Sequence, residues 1–130
     1  MGKNFAILAV QAKPNEETGV SKSSIATEIL GLYRKHGWQL QRVLLKPDES
    51  QQLDSSSLFP DAKVIASSID AMWFSRPSYN GEAWELRLLS EQPFALFEKF
   101  EKDESEEQRE EVRNEMEAKM LDYLSQPSPS

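Results

Sequence analysis

Apolar positions along this chain fall into four extended patterns and three helical ones. Residues 4–11 contain the run Phe5 to Val10, apolar on both faces as in a strand in the middle of a sheet. After a loop marked by Pro14, Asn15, Thr18 and Gly19, the positions Ile25, Ile29, Leu32 and His36 recur at helical spacing, widened by Ala26, Leu30 and Tyr33. Ser21 to Ser24 offer N-caps, Arg34 to His36 suit the negative end of the dipole, and Gly37 is a terminator. A helix over about 24–36 is predicted. The period then changes to two, with Trp38, Leu40 and Leu44 alternating against Gln39, Gln41 and Val43, which predicts a strand over about 38–46. Strand, helix and strand so joined suggest a right-handed crossover between parallel strands.

The polar stretch from Pro47 to Pro60 accommodates one helical turn around Leu53 to Phe59. Two strands follow, over about 63–75 and 83–89, the first long enough to predict a bulge near Ser67 and Ser68. Asn80-Gly81 between them is a hairpin signal. A two-residue loop there pairs Tyr79 with Glu82 and places Met72 and Phe74 on the face of Glu85 and Arg87, dividing the apolar residues between both faces. A three-residue loop with Gly81 in the left-handed region instead sets Phe74 opposite Leu86 and Met72 opposite Leu88. With one buried face, the second register is expected. Trp84 and Arg76 then share the rim of that face, and Trp73 lies opposite Arg87 on the other.

In the last third, Ser90 can cap a helix over about 91–102 carrying Phe94, Phe97 and Phe100 on one side. Ser105-Glu106-Glu107-Gln108 fits the capping-box pattern and opens a helix over about 105–124, striped by Val112, Met116, Met120, Tyr123 and Leu124. Residues 126–130 read as a disordered tail, leaving one domain over 1–125. The expected fold is an α+β two-layer sandwich: a four-stranded, mainly antiparallel sheet with its helices on one face. Little of such a sheet remains for the last stripe. It either folds back on the phenylalanine helix or meets a second copy, and a homodimer through Val112, Met116, Met120, Tyr123 and Leu124 is the reading preferred.

Composition narrows the function without identifying it. The 130 residues are 28% charged and 38% hydrophobic, ordinary for a globular chain. The formal charge of −7 opposes a general electrostatic attraction to nucleic acid or anionic membrane, so neither is expected as a partner. No apolar run approaches the roughly 18 residues of a membrane span. With the weak signal-peptide character of the first residues, a cytoplasmic location is expected. The absence of cysteine removes disulfides and thiolate chemistry. Residues 101–117 hold nine acids and three basic residues, a net −6 that reads chiefly as the solvated side of a helix.

No phosphate loop, zinc-protease motif, nucleophile elbow or calcium loop is present. His36, the single histidine, fits a helix-end charge. Asp70, on the face of Met72 and Phe74, is the carboxylate to examine for acid or base work. No catalytic residue, metal ligand or cofactor is assigned. The candidate binding surface is the outward hairpin face: Trp73, Glu85 and Arg87, with Gln39 and Gln41 beside them and Arg76 and Tyr79 at the tip. One large aromatic among polar groups is the composition of interface hot spots, provided no loop or helix covers Trp73. The expected function is a small acidic protein-binding or regulatory module, its partner another protein and a basic one if the acidic stretch takes part. The alternative is a small-molecule site or an enzyme using buried carboxylates between sheet and helices.

Overall fold

The computed structural model describes residues 21–50 and 53–126. Helix α1 (Lys22–Lys35) starts where the Ser21 side chain accepts the Ser24 N–H, and it ends at His36 and at Gly37, whose φ of 85° only glycine adopts cheaply. Strand β1 (Gln39–Leu45) follows, then two single turns, α2 (Pro47–Ser50) and α3 (Ser55–Leu58). Strands β2 (Lys63–Ala66), β3 (Ala71–Ser78), β4 (Gly81–Leu88) and β5 (Ala95–Glu101) lead to helix α4 (Glu106–Ser125). The capping box at Ser105 and Gln108 is formed in both directions. Among the described residues the chain is α+β with a five-stranded mixed sheet in the order β2-β1-β3-β4-β5, in which β2 runs parallel to β1 and the remaining pairs are antiparallel.

Several expectations need correction. The strand over 4–11 lies outside the described residues, as does the tail beyond Gln126, which is the C-cap of α4. The strand over 63–75 is two strands, because the chain leaves the sheet at 67–70 and returns on the other side of β1. The helix over 91–102 is strand β5. Three phenylalanines spaced by three satisfy a helical stripe, but Phe94 and Phe100 are six apart and so share a strand face, with Phe97 on the opposite one. Pairing with β5 also supplies partners for the β4 backbone that a helix could not.

The helices are not on one face. Ile25, Ile29, Leu30 and Tyr33 of α1 pack with Val43, Leu45, Met72 and Phe74 on one side of the sheet. Met116 and Met120 of α4 pack with Leu44, Trp73, Leu86 and Leu88 on the other. Apolar residues are therefore divided between two buried faces, and the single buried face on which the expected hairpin register depends does not exist. The hairpin turns on Tyr79 and Asn80, so that Ser78 pairs with Gly81, Phe74 with Glu85 and Met72 with Arg87. The positive φ belongs to Asn80, at 63°, rather than to Gly81. Gly81 is needed for a different reason: a Cβ there would lie 1.8 Å from the Phe100 carbonyl oxygen. Met116 and Met120, with Val112 beside them, pack on the sheet within their own chain, and Tyr123 stacks on Phe94, so most of the expected dimer seam is covered by the fold-back alternative, onto strands rather than onto a helix, while Leu124 stays 43% exposed.

Candidate functional site

The register that pairs Phe74 with Glu85 places Glu85 and Arg87 beneath α1, where Tyr33 meets them. The Tyr33 ring is stacked on Phe74 at 4.1 Å, and its hydroxyl donates to Glu85 Oε2. Burial, then the hydrogen bond and charge of Glu85, push the Tyr33 phenol far above the ordinary tyrosine range, against a smaller opposing effect of Arg87. Tyr33 is thus a fixed donor. Arg87 is held by two carbonyls, its Nε donating to Leu88 O at 3.0 Å and Nη2 to Ser90 O at 3.1 Å. The pair stands firm on a strand, a more rigid support than a loop.

Trp38, just beyond α1, forms the adjacent wall, edge-on to Tyr33 at 6.1 Å and to Phe97 at 6.4 Å. The Arg76 guanidinium lies 4.6 Å over the Trp38 ring and donates to the His36 carbonyl at 2.7 Å, joining β3 to the end of α1. Leu32 is 52% exposed, and Phe97, the edge-on neighbour of Trp38, is 58% exposed. A half-open groove of about 250 Å³ is lined by Leu32, Tyr33, His36, Trp38, Glu85 and Arg87.

No family model, no curated protein and no solved structure matches this chain. The site therefore rests on its own geometry. Of the predicted surface, Glu85 and Arg87 line the groove and Arg76 braces its rim, while the other four lie elsewhere. Trp73 is fully buried under α4, its Nε1 donating to Glu117 at 2.8 Å, which corrects its expected place on an open face. Gln41 donates to Ser75 Oγ at 3.0 Å, and Gln39 borders a separate hollow beside Arg34 and Phe59. Tyr79 projects alone from the hairpin tip. Tyr33, Trp38, Leu32 and His36 line the groove and are not among the predicted site residues. The signal that could have found them was the divided register, which brings Glu85 under the tyrosine of α1.

Beneath α4 the charges are consumed structurally. Arg113 is 1% exposed, stacks 4.4 Å from Trp84, and pairs through Nε with Glu110 at 3.0 Å and through Nη2 with Glu106. Arg42 reaches the same Glu110 from β1 at 2.8 Å. The Arg42 hydrogen bonds, followed by that from Arg113, hold the Glu110 carboxyl below its usual range despite some burial. Asp70, the other carboxylate singled out, accepts the Lys46 N–H at 2.8 Å and has Lys22 and Lys46 ammonium groups within 3.9 Å. It closes the junction between strands. Among the described residues no group of acids or histidine is placed to hold a metal ion, and no helix is long and apolar enough to cross a membrane.

Proposed function

We propose that this chain is a protein-binding module that seats an apolar or aromatic side chain of another protein in the groove between α1 and β4. The observation that carries this reading is a half-open hollow floored by Glu85 and Arg87 and walled by Trp38 and the half-exposed Leu32, with the exposed Phe97 edge-on to Trp38. Aromatic walls and an ordered arginine are typical of interface hot spots, since they offer contact area with few torsions to freeze. At about 250 Å³ the groove falls below the roughly 300–1,000 Å³ usual for small-molecule sites, and a single side chain suits it better. Carboxylate chemistry fits less well. Among the described residues Glu85 is the only acid lining the groove, and its Oε2 already accepts the Tyr33 hydroxyl.

A displayed peptide library selected against the full chain tests this. Peptides that bind are expected to shift the Leu32 and Trp38 resonances and to lose at least about tenfold in affinity against Leu32→Asp with Trp38→Ala, the loss of one anchor contact or more. Peptides that shift only α4 resonances, or bind the double variant equally well, would refute the groove.

A further inference from the structure

A second hollow lies beside the first. It encloses about 240 Å³ between the end of α1 and the segment joining α3 to β2, and Trp38 lines both. Helical geometry separates them. Leu32 and His36, four residues apart, share the side of α1 that borders the first groove, whereas Arg34 stands about 200° round the axis from each and borders the second. The two hollows therefore flank the last turn of one helix, with Trp38 as their common wall. Arg76 holds that wall, its guanidinium 4.6 Å over the Trp38 ring and bonded to the His36 carbonyl at 2.7 Å, so the wall is fixed before anything enters.

The second hollow has an apolar floor and a polar rim. Leu40 and Phe59 are buried beneath it, while Arg34, Gln39 and Asp61 are exposed at its edge. Its volume, like that of the first, suits one side chain. Arg34 presents only donors, Asp61 only acceptors and Gln39 both. The charges of Arg34 and Asp61 cancel, as those of Arg87 and Glu85 do in the first groove, so a charged side chain would meet a like charge in either place. A carboxamide avoids this. Its carbonyl accepts from Arg34 and its amide donates to Asp61, while its methylene stem covers Leu40 and Phe59. A serine or threonine hydroxyl also donates and accepts, but is too short to fill the recess.

Resting on the reading of the first groove as a side-chain site, we infer that one segment of the partner occupies both hollows, an apolar or aromatic residue in the first and a glutamine or asparagine in the second. Spacing selects its conformation. The anchors must pass the end of a helix about 10 Å across with its side chains. A polyproline-II segment, with three residues per turn and about 3.1 Å per residue, brings positions three apart to one side at about 9 Å. In a β-strand, same-side positions fall at about 7 or 13 Å, and neither matches.

Peptides selected on the full chain are the probe. Binders are expected to carry glutamine or asparagine three residues from the apolar anchor, and its replacement by alanine should weaken binding at least about tenfold, the loss of hydrogen bonding to charged groups. Arg34→Ala with Asp61→Ala, both at exposed positions, should weaken the parent peptide equally and leave the alanine peptide unchanged. Leu32→Asp reports on the first groove alone. Peptides weakened by Leu32→Asp but not by the pair at the second hollow would overturn the two-anchor inference and leave the groove standing. Peptides weakened by the pair alone or by neither change, or a selection without binders, would remove both. An acidic, basic or apolar residue as second anchor, or anchors two or four residues apart, would overturn the inference also.

Discussion

Replacing Arg113 separates two explanations of what holds α4 to the sheet. Its guanidinium is buried, yet its partners Glu106 and Glu110 keep 72% and 41% of their side-chain surface, and Nη1 has no hydrogen-bond partner among the described residues. In Arg113→Met both acids are left in water, and Glu110 keeps Arg42, so no unpaired buried charge remains. The loss is the pairing, under about 1 kcal/mol for partners this exposed, and the stacking on Trp84, about 0.5–2 kcal/mol. Against it stands relief of the unpartnered buried N–H, about 1–3 kcal/mol. These nearly cancel, and Arg113→Met is expected within about 1 kcal/mol of the unaltered protein. Arg113→Ala also removes the stem packed between Trp84 and Phe100, leaving a cavity that costs a further 2–5 kcal/mol or so. Urea unfolding followed by tryptophan fluorescence measures both, with equal slopes required for comparison. If methionine proves as damaging as alanine, charge pairing rather than packing secures the helix and the reasoning fails.

Gly81→Ala should destabilise by at least about 2 kcal/mol in the same assay, because its Cβ would meet the Phe100 carbonyl, whereas Gly37→Ala, in open space at positive φ, should cost about 1. The raised phenol of Tyr33 contributes stability fully present below the ordinary tyrosine value of about 10 and lost progressively as pH rises from there toward the raised value. Tyr33→Phe should therefore lose less stability than the unaltered protein over that alkaline window, as unfolding midpoints at a series of pH values would show. Ser105→Ala removes the acceptor for the Gln108 N–H, 3.1 Å away, and should cost about 1 kcal/mol, read from the thermal midpoint.

Helices α1 and α4 were legible because their ends are chemical: Ser21 and Ser105 as caps and Gly37 as terminator are local facts that tertiary structure does not overrule. Strand faces were not legible, because they depend on what covers them. Met72 and Phe74 on one side, with Trp73 on the other, look like a conflict in a two-layer fold and like two cores once α4 is known to lie opposite α1. The misreading of β5 has the same root, since three phenylalanines cannot distinguish a helical stripe from a strand between two covered faces. The groove inherited these errors. The expected register groups Glu85 and Arg87 with Trp73, which the true register places on the other face, and nothing in the local pattern sets Tyr33 and Trp38 apart from ordinary helix and strand positions.

The net charge of −7 invites the idea that acidic attraction is how this chain binds, and the arrangement of charges argues otherwise. Arg109 and Arg113 turn inward to Glu82, Glu106 and Glu110, leaving Glu107, Glu111 and Glu115 exposed on the outer side of α4. The acidity of that helix is the remainder after its arginines are spent on the sheet. The groove lies on the opposite face, where Glu85 and Arg87 offset one another. Exposed charges more than a Debye length apart, about 10 Å at 0.1 M salt, scarcely act on each other. Peptides selected on the groove should thus change affinity by less than about threefold between roughly 0.05 and 0.5 M salt, whereas docking on the α4 face would weaken steeply and depend on association rate. Titration calorimetry across that range decides it, and a steep loss that disappears in Glu107→Gln with Glu111→Gln would move the binding surface to α4.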